Sequence, residues 1–124
     1  MKMKQEEEPV LIVEDDKDLS TILKHVLGKS HPVKCVHNLK DAEGFLQTHT
    51  ASHLFLDNNL PDGLGIDFVP WARRNNPSAM IVLMTAHNFK NVKAKALENG
   101  ADLFIQKPFS MSEIKGIMLQ SNRK

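Results

Sequence analysis

Five short apolar runs recur along the chain, each breaking off into polar residues and each followed by apolar positions at helical spacing. The runs are Val10–Val13, Val33–Val36, His53–Leu56, Met80–Met84 and Leu103–Ile105. They are too short for helices, and their continuous bulk suits strands covered on both faces. Between them, Leu19, Ile22, Leu23, Val26 and Leu27 mark one apolar helical stripe. Leu39, Ala42, Phe45 and Leu46 mark a second. A third helix follows Gly65, a lysine-rich fourth spans about Asn88 to Asn99, and a last carries Ile114, Ile117 and Met118 on its inner face. Strand then helix, five times over, predicts an α/β fold with a parallel sheet, helices on both faces and right-handed crossovers.

Local signals sharpen the boundaries. Asp15 or Asp16 stands where the first helix begins, a favoured place for an anion, and Gly28 stands where it ends. Asn38 is an N-cap for the second helix, Gly100 a C-terminal cap for the fourth, and Ser110-x-x-Glu113 a capping box for the fifth. Leu60-Pro61-Asp62-Gly63 fits a type I turn. The third helix is irregular. An N-cap at Asp67 would put Pro70 in the first turn, where proline is tolerated, whereas an earlier start would make Pro70 a kink. Trp71 reads as a packing residue.

A chain of 124 residues is one domain and can fold without a disulfide or structural metal. Residues 1–8 read as a flexible polar leader, 9–121 as the domain, and 122–124 as a tail or the start of a linker. Sixteen Lys and Arg against fifteen Asp and Glu leave a net charge of +1, which argues against non-specific nucleic-acid binding. Cys35 is alone and reads as a small core thiol, in keeping with a cytoplasmic setting. No apolar run approaches the roughly 20 residues of a membrane span.

In an open parallel sheet, ligands bind outside the carboxyl ends of the strands. Those ends carry Glu14 and Asp15, then Asp57, Thr85 and Lys107. Three carboxylates at close quarters need a cation or a shared proton. Hard oxygen donors suit Mg²⁺, and the backbone carbonyl of Asn59, two residues past Asp57, is a further oxygen within reach. A carboxylate beside Mg²⁺ and a lysine can attack phosphorus, with Lys107 and the Thr85 hydroxyl offsetting charge on the phosphoryl oxygens. Singly, each residue has a plainer reading. Asp57 is a turn residue, Glu14-Asp15-Asp16 a helix start, Thr85 a strand residue and Lys107 a solvated charge. The assignment rests on all of them standing at strand ends in order. His25, His31, His37, His49, His53 and His87 show no short ligand spacing and read as scattered surface histidines. Lys90, Lys93 and Lys95 read as a solvated helix face, or more sharply as a docking surface.

The set Glu14-Asp15, Asp57 with Pro61 and Gly65, Thr85-Ala86 and Lys107-Pro108-Phe109 resembles the receiver domain of two-component response regulators, from about Pro9 to Ser121. The resemblance implies a flavodoxin-like doubly wound (βα)5 sandwich with strand order 2-1-3-4-5. It implies a signalling switch more than a turnover enzyme, although family members assist the loss of their own phosphate. Asp57 would be the phosphoacceptor, served by a sensor histidine kinase or a histidine phosphotransfer protein. Mg²⁺ would be held by Glu14, Asp15, Asp57 and the Asn59 carbonyl. Thr85 and Phe104 would form the switch pair, acting on the fourth helix, fifth strand and fifth helix toward an output domain or partner protein. No direct nucleic-acid or membrane contact is implied for this segment. Asn59 and His87 would tune dephosphorylation, and Lys107-Pro108 would be a cis peptide.

Two other classes are weighed against this one. A haloacid-dehalogenase-like phosphohydrolase needs an acid two residues after its nucleophile, and Asn59 stands there. A receiver-like interaction domain that never takes phosphate would have no need of Asp57, Thr85 and Lys107 together.

Overall fold

The computed structural model describes residues 8–86 and 90–121. Strands β1 (Val10–Val13), β2 (Val33–Val36), β3 (His53–Asp57), β4 (Met80–Thr85) and β5 (Leu103–Gln106) pair in parallel in the order β2-β1-β3-β4-β5. This is the doubly wound order expected from the resemblance. The chain runs outward from β1 to β2, then returns past β1 to β3, so the switch point lies between β1 and β3. Their register, Val13 beside Leu56, brings Glu14 and Asp57 together just beyond it.

Alternation along the strands decides what each helix covers. Leu11, Val13, Leu54, Leu56, Ile81 and Leu83 face one way. They pack against Ala42 and Leu46 of α2 (Leu39–Thr48), Ile66, Val69 and Ala72 of α3 (Gly65–Asn75) and Ala96 of α4 (Lys90–Asn99). Val10, Ile12, Phe55, Val82 and Met84 face the other way, onto Leu23 and Leu27 of α1 (Lys17–Leu27) and Ile114, Ile117 and Met118 of α5 (Met111–Ser121). All residues of the central strands β1 and β3 are buried, whereas the edge strands β2 and β5 are only partly covered. Cys35 sits half-buried against the α1–α5 side, and Trp71 packs against the opposite core, stacked on Phe68.

The caps follow local chemistry. Asp16 Oδ1 accepts from the N–H groups of Asp18 and Leu19, Asn38 Oδ1 accepts from Asp41, and Ser110 and Glu113 satisfy each other's backbone N–H. Gly28 ends α1 in a right-handed conformation, and Gly100 follows α4 at φ 115°.

Helix α3 takes the earlier of its two expected starts. It begins at Gly65, not after Asp67, and Pro70 lies inside it. No side chain at Leu64 caps it; Asn58 does so instead, its carbonyl accepting from Gly65 N–H at 2.8 Å and its Oδ1 from Ile66 N–H at 2.9 Å. Pro70 has no N–H to give the Ile66 carbonyl four residues back. Asn99 Nδ2, at the end of α4, donates to that carbonyl at 3.0 Å. Arg73 adds a second tie, donating from Nε and Nη2 to the Gly100 carbonyl at 3.1 and 2.8 Å.

Candidate acidic site at the sheet's carboxyl edge

Glu14 directly follows β1, and its peptide N–H fastens it to the Val36 carbonyl of β2 at 3.1 Å. The side chain is buried, and its Oε2 accepts from the Asp16 N–H at 3.1 Å. Asp15 follows in the exposed turn into α1. Strand β3 delivers Asp57, 4% exposed, whose Oδ2 accepts from the Asn59 N–H at 3.1 Å. Carboxylate oxygens of Glu14, Asp15 and Asp57 lie within 4.8 Å of one another. Lys107, just past β5, bridges two of them, with Nζ 2.7 Å from Glu14 Oε1 and 2.8 Å from Asp57 Oδ1.

Burial pushes the Glu14 carboxyl up from its ordinary range, although the Lys107 hydrogen bond pulls the other way. Asp57 is raised for the same reason and against the same opposition. At Lys107 burial works to lower the ammonium, but the hydrogen bonds it donates to Asp57 and Glu14 outweigh it and the group is held above its usual range. One ammonium therefore faces three carboxylates, and ionised they leave two negative charges uncompensated. That surplus, in a set of hard oxygens, fits a small divalent cation such as Mg²⁺.

Thr85 is buried at the end of β4, where its carbonyl accepts from the Lys107 N–H at 2.7 Å. By the period of two it shares the face of Ile81 and Leu83. Phe104, beside Leu83 in β5, is half-buried against that same core, so Thr85 and Phe104 occupy one side of the sheet. Lys107-Pro108 is a cis peptide. Asn59 opens a short antiparallel ribbon, Asn59–Leu60 against Gly63–Leu64, joined by Pro61 and Asp62. His87 lies outside the described residues, as do residues 1–7 of the leader and the tail 122–124.

Three residues near the site escape a reading of the sequence. Asn58 caps α3, as above. Asp62 reaches across to α2, accepting from the Leu39 and Lys40 N–H groups at 2.8 and 2.9 Å, and the Leu39 bond holds its carboxyl below the usual range. His37 is exposed, in keeping with a surface histidine, but its Nδ1 lies 2.9 Å from the Glu14 carbonyl oxygen. His53 does depart from the surface reading, being buried at the start of β3. Among the described residues, the cluster able to hold a metal contains no histidine.

A five-stranded doubly wound sheet with an acidic crevice at its switch point defines a class of small α/β domains whose ligand site lies at that edge. Within it, residues 10–118 match the response regulator receiver domain, and the chain belongs to that family of signalling domains. The response regulator protein PilR of Pseudomonas aeruginosa is 27% identical over 114 residues, which are 91% of this chain and 26% of that protein. The transcriptional regulatory protein PhoP of Escherichia coli K12 is 32% identical over 110 residues, 88% of this chain and 49% of PhoP. The chain thus spans half or less of the length of these relatives. A two-component response regulator of Clostridium difficile superposes with a TM-score of 0.84 at 27% identity, covering 94% of this chain and 100% of that one. A CheY-like receiver domain protein of Methanospirillum hungatei superposes with a TM-score of 0.87 at 20% identity, covering 94% of each chain, and shows the shared fold. Among the described residues, no helix is long and apolar enough to cross a membrane.

Proposed function

We propose that this domain is a phosphorylation switch whose phosphoacceptor is Asp57. The observation that carries the reading is the bridge of Lys107 between Asp57 and Glu14, with Asp15 alongside, at the switch point of the sheet. The donor is a phosphohistidine of a sensor kinase or phosphotransfer protein. A carboxylate oxygen of Asp57 attacks phosphorus, the O–P bond forms, the P–N bond breaks, and the departing imidazole keeps the electron pair and takes a proton. Lys107 and the Thr85 hydroxyl stabilise charge on the transferring oxygens. Glu14, Asp15, Asp57 and the Asn59 carbonyl would hold Mg²⁺, which when bound offsets the phosphoryl charge. A groove of about 610 Å³ beside Lys107, lined by Asp18, Leu19, Ile22, Pro108 and Phe109, offers a protein donor a surface to seat on.

On phosphorylation Thr85 moves toward the phosphoryl group and Phe104 fills the space on their common face. The change passes to α4, β5 and α5, and through them to an output domain or partner. Asn59 and His87 set the lifetime of the phosphate. The setting is the cytoplasm, where such kinases deliver phosphate. Asn59 carries no acidic proton, which weighs against a phosphohydrolase that turns over through Asp57.

Incubation with a small phosphodonor and Mg²⁺ should give one acid- and base-labile phosphate per chain. The label should vanish in Asp57→Asn and persist in Asp62→Asn. Undiminished labelling of Asp57→Asn overturns the assignment.

A further inference from the structure

We infer that His37 is a positioning residue for the acidic site: its imidazole holds the Glu14 carbonyl, and with it the turn that presents Glu14 and Asp15. The inference rests on the phosphoacceptor reading of Asp57 and deepens it.

Glu14 is where β1 leaves the sheet. Its N–H makes a last rung with the Val36 carbonyl at 3.1 Å. In a continued parallel ladder, the Glu14 carbonyl would next face the N–H of Asn38. The chain there turns into α2, with Asn38 as its cap. The imidazole of His37 supplies the donor instead, with Nδ1 at 2.9 Å from the carbonyl oxygen. A carbonyl only accepts, so Nδ1 carries the hydrogen and the ring orientation is set by this bond. The peptide so anchored is the one joining Glu14 to Asp15. Glu14's own carboxylate is held by Lys107 and the Asp16 N–H, but Asp15 stands in the exposed turn. The direction of the Asp15 carboxylate therefore depends on the backbone that carries it.

The same short segment grips the other side of the crevice. Asp62, five residues past Asp57, accepts from the N–H groups of Leu39 and Lys40. A Cβ added to Gly63 would stand 3.0 Å from Leu39 Cδ1, so the loop lies directly on the start of α2. Residues 37–40 thus touch the end of β1 on one side and the loop after β3 on the other. These are the two elements that supply the three carboxylates. A donor fixed between them sets the spacing a small octahedral cation demands, which tolerates little error in ligand placement.

The donor must sit on a branch of Cγ. Asparagine offers an N–H at that branch, phenylalanine keeps the ring without a donor, and glutamine moves the donor one bond outward. The test uses the whole chain with His37→Phe and His37→Asn. Mg²⁺ affinity is measured by calorimetry, labelling by a small phosphodonor is followed across Mg²⁺ concentrations, and thermal unfolding in EDTA and the amide spectrum report the fold. His37→Phe should weaken Mg²⁺ binding by about three- to tenfold, the size of one lost net hydrogen bond. Its labelling should be slow at low Mg²⁺ and recover at saturation, and His37→Asn should restore both. If His37→Phe does not fold, His37→Gln replaces it with the same expectation. Wild-type Mg²⁺ affinity in His37→Phe, or an equal loss in His37→Asn, overturns the proposal. Labelling that survives Asp57→Asn removes the phosphoacceptor reading and leaves the Mg²⁺ titration to judge His37 alone.

Discussion

A methyl group at Gly65 would test how closely the site and the loop that leaves it are built together. A Cβ there would lie 2.3 Å from the Asp57 carbonyl oxygen, 3.1 Å from its carbon and 3.1 Å from Leu56 Cγ. Comfortable contact needs about 3.5 Å, so the end of β3 and the start of α3 must separate by roughly 1 Å. Neither yields easily. Asn58 N–H is bonded to the Met84 carbonyl at 2.8 Å in the sheet, and the Asn58 carbonyl holds the Gly65 N–H at 2.8 Å. Forcing them apart should cost about 1–3 kcal/mol, as overpacking in a core does. Because the displaced atoms belong to Asp57 itself, phosphorylation should slow by a factor on the order of 100, the usual effect of a 1 Å misplacement at a reacting centre. The assay pairs urea denaturation with single-turnover labelling by a small phosphodonor in saturating Mg²⁺. Gly44→Ala and Gly116→Ala are the controls, since nothing lies within 4 Å of their added Cβ and both are in exposed helix. Each should gain up to about 1 kcal/mol and label normally. A Gly65→Ala protein as stable as wild type would refute the steric argument. One that lost stability yet labelled at the wild-type rate would show that α3 moves and Asp57 does not, refuting the link to reaction.

Two further expectations concern the scaffold. Asn99→Ala should cost about 1–3 kcal/mol by leaving the Ile66 carbonyl without its donor, and less in a Pro70→Ala background, where residue 70 regains its N–H. Equal costs in a urea double-mutant cycle would show that Asn99 does not substitute for the missing helical bond. Burial holds the His53 imidazole below its ordinary value of 6.5, with His31 adding repulsion. The unfolded chain then binds more protons than the folded one just below that pH, so His53's contribution to stability is present above pH 6.5 and is lost as pH falls through it. Glu14 and Asp57, raised by burial, act in the opposite sense at lower pH. The difference between wild type and His53→Phe in denaturation from pH 5 to 8 isolates the histidine, and a pH-independent difference would refute the assignment.

Much of the fold was legible because its cause is local. Apolar tetrads such as Val10–Val13 have one stable setting, a strand covered on both faces. The stripe Leu19, Ile22, Leu23, Val26, Leu27 has one periodicity, although Ile22 stays exposed, and Asp16, Asn38 and Ser110 need only the next turn of chain to make their caps. The residues gathered at the rim were legible for a related reason: a parallel sheet with its switch point between β1 and β3 sends Glu14, Asp57, Thr85 and Lys107 to one edge whatever the details of packing. Helix α3 was harder. Its start at Gly65 is capped by Asn58 and its proline defect is answered by Asn99, and neither partner is visible within the few residues that a capping rule inspects.

The sequence by itself determined the class of fold, the strand and helix order, and which polar residues stand at the carboxyl edge, because periodicity and strand-end chemistry act over a few residues. Tertiary structure alone decided that Lys107 spans Glu14 and Asp57, that Asp62 caps α2 from a different loop, and that His37 serves the Glu14 carbonyl while His53 is buried. Each of these joins residues far apart in the chain. Such contacts exist only once the sheet has brought its strand ends side by side, and no local propensity records them.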